Sequence, residues 1–199
     1  KSKKVTARLK RMDEMNLTPV VLSVLILDGE GRRIIAKYNK GFCQNSLEIQ
    51  QKFEQKLFKK TKNSPVRSDA DIIMLDNTIC IYRAAGDAKV YVVGSMDENE
   101  IILNMVLDAL YTALSTLLRG QMDARSILDN LELTMLSVDE LVDGGIILEI
   151  DPQNIVNRVL MRPDDAIHPI TDMSVSQALA TAKDQLFKSM GNRESDLSW

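Results

Sequence analysis

Two periods of apolar residues divide this chain into strands and helices. VVLSVLIL at 20–27 is apolar on both faces, as a strand covered front and back must be, and Asp28-Gly29-Glu30-Gly31 turns it into a second strand, RRIIAKY at 32–38. At 45–60 the period changes. Asn45 with Glu48 three residues on marks a helix start, and Ile49, Phe53 and Leu57 recur at every fourth residue. Asn63-Ser64-Pro65 breaks that helix. ADIIML (70–75), TICIYRA (78–84) and KVYVVG (89–94) then form an antiparallel meander, joined tightly at Asp76-Asn77 and Gly86-Asp87.

The segment 101–118, IILNMVLDALYTALSTLL, predicts a helix of a different kind. Its polar residues Asn104, Asp108, Thr112, Ser115 and Thr116, with Arg119 just beyond, recur at three- and four-residue spacing and so share one thin line. An ordinary surface helix has an apolar stripe of roughly 100° or a little more. This one is wider, so it must be covered on two sides, by its own sheet and by other helices or another chain. On that ground the chain reads as built for assembly. A further helix is expected at about 124–142, with Ile127, Leu128, Leu131, Met135, Val138 and Val142 on one face and Gly144-Gly145 stopping it. IILEI (146–150) is a last extended piece, and Asp151-Pro152 caps a short helix through Arg162. A final helix is expected from Val175 to Met190, with Val175, Leu179, Ala182, Leu186 and Phe187 on its apolar side. The sum is an α+β sandwich: a five-stranded antiparallel sheet flanked by helices, with additional C-terminal helices.

Composition narrows the function classes. At 199 residues and 45% hydrophobic content the chain supports one solid core plus extensions. A net charge of −3 gives the body no basic field of the sort that neutralises phosphates, so nucleic acid is not an expected partner. Lys1, Lys3, Lys4, Arg8, Lys10 and Arg11 make residues 1–18 a basic N-terminal arm, read as a solvated, flexible tail. Cys43 and Cys80 have neither metal-ligand spacing nor a disulfide framework, which suggests a reducing compartment. The apolar helix carries Asn104 and Asp108 in its middle, which a membrane span avoids, and no signal peptide is visible.

Reactive chemistry finds little footing. His168, the single histidine, lies between Ile167 and Pro169 in an expected loop with no nucleophile beside it. Asp97, Glu98 and Glu100 are thinkable as metal ligands, yet they stand where a helix starts and acids complement its dipole. The glycines at 29, 31, 144 and 145 fit no phosphate loop. No catalytic, metal or cofactor residue is expected, and the ten methionines read as core filler.

The element order resembles the longin fold of vesicle-trafficking proteins, in particular the small subunits of adaptor and coatomer complexes. ILDGEGRRIIAKY (26–38), ENEIIL (98–103), VDELVDGGIILEIDPQNIVNRV (138–159) and SVSQALATAKDQLFKSM (174–190) are similar to the coatomer zeta family. The resemblance implies a longin-like domain at 19–151 with accessory helices at 152–191, and a structural, non-enzymatic role. It implies direct pairing with the gamma coatomer subunit through that subunit's N-terminal helical trunk, contact with other coatomer subunits, and indirect recruitment by an Arf-family GTPase. The implied place is the cytosolic face of Golgi membranes and COPI vesicles, in Golgi-to-ER retrograde and intra-Golgi transport. In related adaptor subunits an acidic dileucine signal docks beside the start of the long helix, which by resemblance implicates Val92, Asn99 and Leu103 as a vestigial peptide groove; the plainer reading makes Asn99 a helix-start residue. Rival readings are a longin-type tethering-complex subunit, a longin SNARE, which needs a heptad coil and an anchor after Gly191, and a small-molecule sensor on a similar sheet.

Overall fold

Strands β1 (Val21–Leu27) and β2 (Arg33–Tyr38) precede helix α1 (Leu47–Thr61), and β3 (Asp71–Leu75), β4 (Thr78–Ala85) and β5 (Ala88–Ser95) precede α2 (Glu100–Leu117). Then come α3 (Ala124–Asp129), α4 (Leu131–Leu141), the short strands β6 (Val142–Asp143) and β7 (Ile146–Ile147), and α5 (Pro152–Leu160). The structure is a computed structural model that describes residues 20–39, 41–43, 46–64 and 69–161. The chain divides at Leu160 into two units, and every element named here belongs to the first. The expected N-terminal arm, the stretch around His168 and the helix at 175–190 lie outside the described residues, as does Asn45.

The large sheet has the order β2-β1-β5-β4-β3, and every neighbouring pair is antiparallel. β1 lies between two partners with a helix layer on each face, which is why 20–27 has no polar side. Two cores result. One face packs Leu25, Leu27, Tyr91 and Val93 against Phe53 and Leu57 of α1. The other packs Val24, Ile26, Ile81 and Val92 against Leu103, Leu107, Leu110 and Leu114 of α2.

The wide apolar surface of α2 is covered within the chain. Its near side meets β4 and β5, and α4 and α5 close its far side. Seven of its residues are buried, while Ile101 and Met105, flanking the polar line, stay 69% and 46% exposed. By length and composition α2 could cross a membrane; here its apolar faces are packed on protein. The other-chain alternative is therefore not what this helix requires.

Three expectations change. The helix expected at 124–142 breaks at Asn130, whose side-chain Nδ2 donates to the Ser126 carbonyl and whose own carbonyl accepts from Thr134 N–H, so one residue ends α3 and starts α4. The break turns the second segment. Met135 on it, expected inside, is 51% exposed, as is Leu128 on α3 before the break, and Thr134 and Ser137 are buried with their hydroxyls bonded back to Asn130 and Leu133 carbonyls. In α1, Ile49 is 51% exposed because the inward face is centred on Phe53, Leu57, Glu54 and Thr61. Gly144 and Gly145, expected to stop the helix, instead form the turn between β6 and β7 at φ 57° and 93°, a conformation other residues adopt at a cost, while the helix already ends at Leu141 where Val142 turns extended.

Candidate functional site

Chemistry requires groups brought together, and the described residues bring together few reactive ones. No group of three or more His, Cys, Asp or Glu side chains is placed to hold a metal ion among them. The acids before α2 serve the chain itself. Glu98 Oε1 accepts from Val20 N–H at 3.2 Å, and Glu100 occupies the first turn. Both cysteines are free, and burial pushes the Cys80 thiol up to about 11 and raises that of Cys43, so neither is a ready thiolate.

The three groove residues are placed plainly. Val92 and Leu103 are both 0% exposed within one core cluster, and Asn99 is the N-cap of α2, its Oδ1 accepting from Ile101 N–H at 2.9 Å. Leu103 reaches this depth because Gly94 of β5 lies beneath it; a Cβ there would come within 2.5 Å of Leu103 Cδ1. In this structure Val92 and Leu103 present no surface to a peptide.

Two features escaped the periodicity. Glu54, on the inward face of α1 and only 4% exposed, accepts from Arg33 Nη2 at 2.5 Å and from Tyr38 OH at 2.8 Å, which ties α1 to β2. That carboxylate and the burial around it hold the Tyr38 hydroxyl far above its usual range, burial being the larger cause. The network edges an open cleft of about 530 Å³ between the β1–β2 hairpin and α1, reached by Arg32, Leu47 and Gln55. A second cleft, of about 440 Å³, runs along the polar line of α2 between Asn104, Asp108 and Thr112 on one side and Asp69, Ala70 and Arg83 on the other. There the Arg83 guanidinium stacks 3.9 Å from the centre of the Tyr111 ring and lies 3.5 Å from Asp108. Neither cleft joins a nucleophile to a base. A glutamate on an otherwise apolar helix face was the one sequence signal of the first network; for the second, the polar line of α2 was legible but not the Arg83 that meets it.

Apolar exposure is the other surface feature. Ile146, Leu148 and Ile150 are 55%, 53% and 43% exposed at alternating positions, with Ile147 and Glu149 half-buried between them. A surface of this kind suits association rather than reaction.

The sequence places the chain accordingly. Residues 20–166 match the clathrin adaptor complex small chain family, and the chain belongs to it. This is a family of structural coat components and not of enzymes, as the longin-like resemblance implied. Within it the similarity is to coatomer zeta subunits. Coatomer subunit zeta-1 of Arabidopsis thaliana is 40% identical over 177 residues, 88% of this chain and 99% of the relative. Coatomer subunit zeta-1 of Homo sapiens is 41% identical over 178 residues, 88% of this chain and 97% of the relative. Among solved structures, a homology model of the full-length AP-3 complex in a stretched open conformation contains a chain of the same fold, with TM-score 0.53 at 14% identity, covering 89% of this chain and 99% of that one.

Proposed function

We propose that this chain is the zeta-type small subunit of a COPI coat, that it pairs directly with the gamma subunit, and that it acts in Arf-dependent Golgi-to-ER retrograde and intra-Golgi transport on the cytosolic face of Golgi membranes. The observation that carries the reading is the identity of about 40% with coatomer zeta subunits across nearly their whole length. At that level and coverage the family's core and its partner-facing surface are both expected to persist. The fold supports it by offering a folded domain with clefts and apolar side chains at the surface.

The test is co-elution. The chain is expressed alone and together with the N-terminal helical trunk of a gamma coatomer subunit, and both are run by size exclusion. An equimolar complex supports the proposal. A chain that elutes at its own size in the presence of excess gamma trunk overturns the pairing, and a tethering-complex partner becomes the better reading.

A further inference from the structure

Edge strand β3 has one strand neighbour among the described residues, β4. The β3–β4 hairpin closes Leu75 on Thr78 across a two-residue turn and pairs Ile73 with Cys80 and Asp71 with Tyr82. In an antiparallel ladder the residues between such closing pairs direct their N–H and C=O groups away from the partner strand. Ile72 and Met74 therefore aim theirs outward. The Met74 carbonyl bears this out, because it accepts a hydrogen bond from Lys60 Nζ at 2.8 Å. Lys60 stands on α1 four residues after Lys56, whose Nζ lies 3.0 Å from Asp76 Oδ2 in the hairpin turn, so two lysines lean from one helix over one hairpin. The side chains of Ile72 and Met74 are 53% and 60% exposed.

That edge is complementary to itself. Two β3 strands set antiparallel, with Ile72 of each copy opposite Met74 of the other, match every outward N–H with an outward C=O. The same register puts Ile72 and Met74 of both copies in cross-strand apolar contact on one face. Half of the carbonyls this pairing needs are those of Met74, and Lys60 occupies them. Pairing would also bring one ammonium from each copy to the seam without an acceptor, a costly arrangement. We propose that Lys60 is an edge guard, which keeps β3 from pairing with β3 of a second copy of this chain. Charged side chains, lysine above all, commonly protect sheet edges in this way. The inference rests on β3 and α1 alone and is independent of the coat reading.

The experiment uses the full chain and sedimentation velocity over a concentration series. Lys60 is exposed, so Lys60→Ala leaves both cores intact. Lys60→Ala is expected to self-associate about tenfold or more tightly than the unaltered chain, as freeing two backbone acceptors implies. Amide exchange at Ile72 and Met74 should slow as its concentration rises. Lys60→Arg should behave as the unaltered chain, and Lys60→Ala with Ile72→Lys should return to it. A Lys60→Ala chain no more associated than the unaltered one overturns the proposal, and so does association that survives Ile72→Lys.

Discussion

Adding one methyl group at Gly94 tests how closely α2 is seated on the sheet. A Cβ built there lies 2.5 Å from Leu103 Cδ1, 3.0 Å from Cδ2 and 3.3 Å from Cγ. Carbon atoms rest about 3.5–4.0 Å apart, so Leu103 or the helix must give by about an ångström. Leu103 is 0% exposed, with the core on every side. Overpacking of this sort costs about 1–3 kcal/mol. Gly94 does not have positive φ, so alanine also stiffens the unfolded chain, an opposing gain of about 0.4–1 kcal/mol. The net expectation for Gly94→Ala is a loss of about 1–2 kcal/mol. Leu103→Ala alone opens a cavity and should cost about 2–5 kcal/mol. In the double variant the new methyl occupies part of that cavity, so its cost should fall short of the sum by at least about 1 kcal/mol. Urea denaturation followed by circular dichroism measures all four corners of the cycle. A Gly94→Ala chain as stable as the parent, or costs that simply add, would refute the close seating of α2 on β5.

Two further predictions concern charge. Glu54→Gln removes the carboxylate that accepts from Arg33 and Tyr38 but leaves Arg33, whose side chain is 29% exposed, partly in water, so the expected loss is about 1–3 kcal/mol. An unchanged urea midpoint would show that the network does not tie α1 to β2. Asp123 and Glu149 have carboxyls held below their usual range, Asp123 chiefly by the backbone N–H of Ser126 at the start of α3 and Glu149 chiefly by the backbone N–H of Asp151. Because the folded values are the lower ones, the unfolded chain takes up protons first. Their stabilisation is complete above the usual carboxylate range and drains as pH falls through that range, from about pH 5 downward. The melting temperature of Asp123→Asn with Glu149→Gln should therefore fall less steeply with acid than that of the parent; parallel slopes would exclude these caps as the cause.

Much of the sheet was readable because strand period and turn chemistry agreed. All five strands and the turns at Asp76-Asn77 and Gly86-Asp87 lie within a residue or so of the expected positions, because in each case a short apolar run was bounded by residues suited to a tight turn. The helices after residue 118 were harder. Helical spacing runs unbroken through Asn130, so one helix was read where there are two, and the inward face of α4 was misread. Asn99 was legible as a helix-start residue, since capping is local. The depth of Leu103 was not, because it depends on a glycine on another element. The pairing of Arg33 with Glu54, and of Lys60 with the Met74 carbonyl, joins residues far apart in sequence through geometry that no periodicity encodes.

The breadth of apolar surface on α2 suggested assembly, and the structure gives it another cause. A helix between a sheet and a second helical layer is apolar on two sides whether or not the chain ever meets a partner. With α4 and α5 in place, Val106, Ala109 and Ala113 are buried by the chain's own packing, so α2 leaves no open face that must find protein or aggregate. The case for a heteromeric coat then rests on family membership and on the residues that do stay exposed, among them Ile146, Leu148 and Ile150. Three apolar side chains exposed at alternating positions of one short segment are compatible with a subunit that waits in solution and still buries area when its partner arrives. It follows that aggregation of the lone chain is not a requirement of the coat reading, and that its solubility would not count against it. Co-elution with the gamma trunk is the decisive observable, because it depends on the exposed surface, whereas solubility mainly reports how well α4 and α5 close over α2.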